Sequence, residues 1–288
     1  MRRVLLTAVI PTLLLSGCAS TTAATPTERP TSAATPPTVA ALDEALSGAW
    51  RDPKNVARDV HRHPKQTLGF FGVTPDQTVI EITPGGGWYS EILAPYLRDK
   101  GHYVAAVWDD AIPGQPKYRY ESNQKLREKF AGNAAVYGTP DVRVFDPAKP
   151  DFGAAGSADT VLTFRNAHNW VSDGTAPAYF KAFYDVLKPG GTLGVVDHRA
   201  KPGTDLEEMK KSGYLTEELV IELAQGAGFV LADRSEINAN PKDTTDHPKG
   251  VWTLPPSNRH DAADDAKYQA IGESDRMTLR FTKPTSAR

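Results

Sequence analysis

From Thr78 onward the chain alternates short β-branched runs with longer stretches whose apolar residues recur at helical spacing, and this alternation constrains the fold more than any other feature. Thr78-Val79-Ile80-Glu81-Ile82 reads as a buried strand. Ile92, Leu93, Tyr96 and Leu97 then predict a helix, which Pro95 should kink or shorten, because proline lacks an N–H and crowds the preceding turn. Tyr103 to Val107, Val142 to Phe145 and Thr160 to Phe164 predict three further strands. Phe180, Phe183, Tyr184 and Leu187 form a helical stripe opened by Pro177 and closed by Lys188-Pro189-Gly190-Gly191, with Thr192 to Val196 as the next strand. Thr216 starts a helix with Glu217 and Glu218 in its first turn, where they suit the helix dipole. Its Leu219, Val220, Leu223 and Ala227 face the core, and Gly228 ends it. Phe229 to Asp233 and Met277 to Phe281 complete the series. Strands separated by helices predict a mainly parallel sheet with helices on both faces.

The first residues obey other rules. Arg2 and Arg3 precede an apolar run from Val4 to Leu15, too short for a permanent membrane span, which reads as an export signal. It ends in Leu15-Ser16-Gly17-Cys18, which resembles the bacterial lipobox, whose Cys is lipidated and becomes the mature first residue. Cys18 is the only cysteine of the chain, so no structural disulfide is expected. From Ala19 to Ala40, Thr, Ala, Ser and Pro dominate, too little apolar surface to fold, and this stretch is expected to be a solvated tether. The expected organisation is a leader over 1–17, the lipidated Cys and tether over 18–41, and one domain over 42–288. That domain has an N-terminal cap over about 42–77 and an insertion over about 238–274, a loop long enough to be a lid carrying Trp252. The protein is expected to be an exported, membrane-anchored lipoprotein facing the periplasm or the cell surface. With a net charge of −2 and no basic block, nothing suggests a nucleic-acid partner.

Three glycines, Gly85, Gly86 and Gly87, follow the first predicted strand at a turn into a helix. Such a turn lets backbone approach a ligand closely, and the helix start offers free N–H groups. Asp109, about 20 residues past the glycines at the end of the second strand, stands where a carboxylate accepts hydrogen bonds from ribose hydroxyls. These features suit either a nicotinamide dinucleotide or an adenosyl cofactor. Gly85-x-Gly87-x-x-Ser90 lacks the third glycine of the dinucleotide fingerprint.

From about Arg58 to Pro284 the chain resembles the class I S-adenosylmethionine-dependent methyltransferases. Glu81 with the glycine turn matches that family's first motif, Asp109 its ribose acid, and Phe145-Asp146 its adenine-contacting loop. Val186-Leu187-Lys188-Pro189-Gly190-Gly191 matches its turn before the fifth strand. The resemblance implies a Rossmann-like, doubly wound, mostly parallel seven-stranded sheet with an antiparallel last strand. Within the superfamily the chain is similar to a group of predicted bacterial methyltransferases. The shared stretches are Arg62-His63-Pro64, Phe70-Phe71-Gly72, Pro84 through Tyr89, Thr163-Phe164-Arg165-Asn166, His168-Asn169-Trp170 and Glu273 through Met277. The resemblance thus implies S-adenosyl-L-methionine as cofactor, with Glu81, Pro84, Gly85, Gly86, Gly87, Asp109, Phe145, Asp146 and Arg165 around it. Thr83 departs from the family, which usually has glycine there and so a freer turn.

Methyl transfer from a sulfonium needs an aligned acceptor and, for a hydroxyl or amine, removal of its proton. In open α/β sheets the ligand lies outside the carboxyl ends of the strands. Two polar clusters are expected there: Arg165 to Trp170 after the fourth strand, and Asp197-His198-Arg199 after the fifth. His168 and His198 are the candidate proton acceptors. Asn166 is a candidate for positioning the acceptor, while Arg165 and Arg199 suit an anionic substrate. Trp170 reads as packing. His61 and His63, beside Arg58 and Arg62, read as covering the cofactor rather than binding metal, and no spacing in the chain matches a metal site. The Asn/Asp-Pro-Pro-Tyr motif of DNA and some protein amide methylases is replaced by Asn166-Ala167-His168-Asn169, which points to a small-molecule acceptor. The alternative is a non-catalytic adenosyl-cofactor-binding or sensing lipoprotein, since the cofactor is made in the cytoplasm and the leader directs export.

Overall fold

The computed structural model describes residues 37–285. Cys18, the leader and most of the stretch read as a tether lie outside the described residues. Seven strands form one sheet: β1 (Thr78–Ile82), β2 (His102–Trp108), β3 (Asp141–Phe145), β4 (Ala158–Phe164), β5 (Leu187–His198), β6 (Val230–Ser235) and β7 (Arg276–Thr282). Their spatial order is β3-β2-β1-β4-β5-β7-β6. β1 to β5 pair in parallel, and β7 runs antiparallel between β5 and β6. The sequence places every strand and misses only edges. β5 absorbs the Lys188–Gly191 turn, and Phe229 precedes β6 rather than opening it.

Side chains alternate across a strand, so each central strand feeds two cores. Ile80 and Ile82 join Phe180, Phe183 and Val220 on one face. Val79 joins Leu68, Ile92 and Leu93 on the other. The helices Ala176–Val186 and Glu217–Gly226 therefore cover one face, and Pro64–Phe70 and Ser90–Leu97 the opposite one. Thr216 caps its helix as read, its hydroxyl accepting the Leu219 N–H at 3.3 Å.

Two expectations need correction or refinement. The helix Pro37–Ser47 takes in the last residues read as tether, because Leu42 and Ala45 bury against the domain and hold it in place. The helix with Pro95 ends at Leu97, so it is shortened. Among the described residues, no helix is long and apolar enough to cross a membrane.

Strand order reverses beside β1, where chain connections leave to opposite faces. The crevice beyond the ends of β1 and β4 is the place where such sheets bind ligands.

Candidate functional site

The first wall of that crevice is the turn after β1. Thr83 adopts φ +46, Gly85 φ +60 and Gly87 φ +83. The threonine thus takes the left-handed conformation that favours glycine, a rare state for a β-branched residue. At Gly87 a Cβ would meet Leu126 Cδ1 at 2.8 Å. At Gly86 it would meet no protein atom within 4 Å. Packing does not explain the missing side chain at Gly86, whose backbone faces open space. Beneath the turn, Glu81 is buried and accepts hydrogen bonds from Tyr103 Oη at 2.6 Å and Ser90 Oγ at 3.2 Å. Burial pushes its carboxyl up to about 7, against the lowering effect of these two hydroxyls.

The cleft has a volume of about 330 Å³, and Glu81, Thr83, Pro84, Gly85, Gly86 and Trp88 are part of its wall. Thr83 Oγ1 and Arg62 Nη2 are buried there without a hydrogen-bond partner. Donors left open on a glycine-lined wall fit a ligand with a polar, anionic end, and an α-amino acid terminus such as that of S-adenosylmethionine is one. Arg58 and Arg62 reach the cleft from the N-terminal helices, while His61 and His63 do not line it; His61 packs its ring against Gly272.

Other expected cofactor residues fall elsewhere. Phe145 is buried in the core, its ring 5.0 Å from Phe152 and 5.9 Å from Tyr179, so it is packing rather than a ligand contact. Asp146 is exposed and accepts the Ala148 N–H at 2.8 Å. Asp109 follows β2 and accepts the Ala111 N–H at 2.9 Å, whereas Trp108 beside it forms the cleft wall.

A second cavity of about 530 Å³ adjoins the cleft, and Tyr118 and Arg165 line both. β4 and β5 pair with Phe164 beside Val196, so the residues that follow each strand emerge together. His168 Nδ1 lies 2.9 Å from Asp197 Oδ1. A carboxylate only accepts, so Nδ1 is the donor of this pair, which leaves Nε2 facing away from Asp197. Asp197 is fully buried and also accepts the His168 N–H at 3.2 Å and the His198 N–H at 2.7 Å. His198 Nδ1 sits 2.6 Å from Ser274 Oγ, and the two imidazoles are 5.0 Å apart. Burial, then His168 and Arg165, hold the His198 pKa well below its ordinary value, so this ring stays neutral. Trp252 of the insertion stands with its ring 6.1 Å from that of His168.

No spacing in the chain suggested a metal site, yet His168, Asp197 and His198 bring one ligand atom each within 4.8 Å of the others. The oxygens of Asp197 are already taken by three N–H donors, which favours an oriented base over a metal centre. Asp197, which the sequence grouped but left without a role, is the side chain that holds the His168 ring. Asn166 lines the glycine-walled cleft, and its amide donates to the carbonyls of Ile82 and Phe164 at 3.2 Å each, tying β1 to β4. Arg199 is no free clamp: Glu236, Asp275 and Glu217 surround it and raise its pKa, despite partial burial. Trp170 stacks on Tyr179 at 4.3 Å, as packing.

Behind both cavities, Arg58, Arg62 and Arg276 converge on the buried Glu273 at 2.7, 3.1 and 3.0 Å. Burial alone would raise the Glu273 pKa, but the guanidiniums of Arg62, Arg276, Arg165 and Arg58 hold it well below the usual range.

No family model matches the chain, and no curated protein sequence matches it. Solved structures do. A SAM-dependent methyltransferase from Aquifex aeolicus superimposes with TM-score 0.53 at 16% identity, covering 85% of this chain and 98% of its own. The cyclase SpnF gives TM-score 0.57 at 13% identity, covering 86% and 94%. A SAM-dependent methyltransferase from Methanosarcina mazei gives TM-score 0.50 at 12% identity, covering 76% and 97%. The fold is that of the Rossmann-like, class I methyltransferases. At these identities the likeness speaks for the fold and leaves the chemistry to the site.

Proposed function

We propose that this protein is an S-adenosylmethionine-dependent methyltransferase acting on a small-molecule acceptor, and that Cys18 anchors it to a membrane after export. The observation that carries the reading is the junction of the glycine-lined cleft with a cavity whose wall holds His168, oriented by Asp197. The cofactor would supply an activated methyl group on a sulfonium. Gly86 leaves backbone open to it, and Arg62 Nη2 and Thr83 Oγ1 offer unpaired donors to its carboxylate. His168 Nε2 takes the proton of an acceptor hydroxyl or amine as the new bond forms, while Asp197 keeps the ring in the right tautomer. The neutral His198 avoids a second positive charge beside the imidazolium. The cyclase among the structural neighbours is a reason to rest the reaction on this dyad rather than on the fold.

Calorimetry on the full chain should detect binding of S-adenosylmethionine and S-adenosylhomocysteine. With an acceptor found by screening hydroxylated and amine metabolites for labelled methyl transfer, His168→Gln should lower turnover by roughly 10²–10⁴-fold and leave S-adenosylhomocysteine affinity unchanged. Failure to bind either adenosyl compound overturns the cofactor reading. Activity indifferent to His168→Gln overturns the base.

A further inference from the structure

We infer that the cavity beside the cofactor cleft takes an acceptor bearing an oxyanion, paired by Arg165 and Arg259. The inference rests on the proposed function for the word acceptor, and on charge accounting for the rest. Arg165, Arg259, His168 and His198 line this cavity, and its one carboxylate is Glu273. Glu273 is already committed to Arg58, Arg62 and Arg276. Arg165 feels the charge of Glu273 but makes no contact with it, and its guanidinium has no hydrogen-bond or ion-pair partner among the described residues.

Apart from Arg259, the other arginines among the described residues find a hydrogen-bond or ion-pair partner. Arg51 is paired with Asp59 at 2.7 Å, and Arg199 with three carboxylates. Arg165 is held in place at a cost, with φ +61 and its N–H bonded to Val196 O at 2.7 Å. Strain of this kind at a charged wall residue suits a ligand contact. Arg259 approaches from the insertion, with its guanidinium 5.9 Å from the Trp252 ring centre and no carboxylate partner. Guanidinium forks match planar carboxylates and phosphates. The same two charges oppose a divalent cation at His168, Asp197 and His198.

Benzoate, phenyl phosphate and benzamide are suitable probes, because they share a ring and differ in charge. Calorimetric titration into the full chain, with and without S-adenosylhomocysteine, should give one of the anions at least about tenfold higher affinity than benzamide, as expected for a charge-assisted pair. Whether benzoate or phenyl phosphate binds more tightly tells a carboxylate acceptor from a phosphate one. Arg259→Gln should bring the favoured anion to near parity with benzamide and leave S-adenosylhomocysteine affinity intact, since Arg259 lines the acceptor cavity and not the glycine-lined cleft. Arg165→Gln should remove the preference as well, with thermal melting to confirm that both variants fold. Equal affinities for anions and benzamide, or a preference that survives both substitutions, overturn the inference. Loss of S-adenosylhomocysteine binding alone would strike the cofactor reading, because the titrations without it report on the anion seat by themselves.

Discussion

Thr83 in the glycine turn and Glu81 in the strand before it show how much a single position decides. Thr83 occupies the left-handed region at φ +46, which disfavours an L side chain by about 1–2 kcal/mol, and it leaves its buried hydroxyl unpaired. The turn keeps its glycine-like course in spite of the threonine. Glu81 is a titrating group within the working range. Its carboxyl ionises near 4.5 in the unfolded chain and near 7 when folded, because burial disfavours the charge more than the Tyr103 and Ser90 hydroxyls favour it. Between those values the folded state holds a proton that the unfolded chain has released, so stability falls as pH rises through the window, by about 3 kcal/mol in total. Glu81→Gln removes the titration, and its thermal midpoint should decline less than that of the wild type between pH 5 and pH 8. Identical slopes would show that Glu81 does not titrate there. Glu273 works in the opposite direction: its folded pKa is lowered, so its stabilisation is present above the ordinary carboxyl range and is lost as pH falls towards its own pKa.

At the scale of elements, the helix Ser90–Leu97 tolerates Pro95 for a definite reason. Proline removes the N–H that would bond the Glu91 carbonyl one turn earlier. Trp50 Nε1 donates to that carbonyl instead, at 2.9 Å, and links the segment before β1 to the helix after it. Trp50→Phe preserves most of the ring and deletes the donor, so it should destabilise the fold by about 1–2 kcal/mol in urea unfolding, with an unchanged m-value. A neutral result would mean that water replaces the indole. The pairing of β4 with β5 does similar work for the site. Register sets Phe164 beside Val196, and the short helix Ala167–Ser172 that follows β4 carries His168 to Asp197 of β5.

For the whole molecule, segments far apart in sequence close on one carboxylate. Arg58 and Arg62 precede the first strand, Arg276 opens the last, and Glu273 ends the insertion that carries Trp252. The cap and the insertion are thus tied together behind both cavities, which fixes the wall against which a ligand would be held. Where the molecule acts is a separate matter, carried by the proposed anchor. If Cys18 is lipidated, a clickable fatty acid supplied to expressing cells should label the wild type, and Cys18→Ser should be unlabelled and extract without detergent. Absence of label on the wild type would remove the anchor and leave the catalytic reading untouched.

Alternation of β-branched and amphipathic runs is a local property, so the strands, the helix capped by Thr216 and the parallel sheet could be read from residues alone. The glycine turn was legible for the same reason, since a sharp turn after a strand needs its glycines in consecutive positions. Resemblance then supplied the seven-stranded, mostly parallel sheet with its antiparallel last strand and the expected nature of the ligand. What it carried over for Phe145 did not survive, because motif position says where a residue falls on a strand and not which side of the sheet its ring enters. Long-range pairing stayed invisible in one dimension. Asp197 became the partner of His168, Arg199 was lost to three carboxylates and Arg165 was left unpaired between two cavities only once the chain had folded. Charges pair through space, and which partner a side chain finds depends on the tertiary packing that brings loops together.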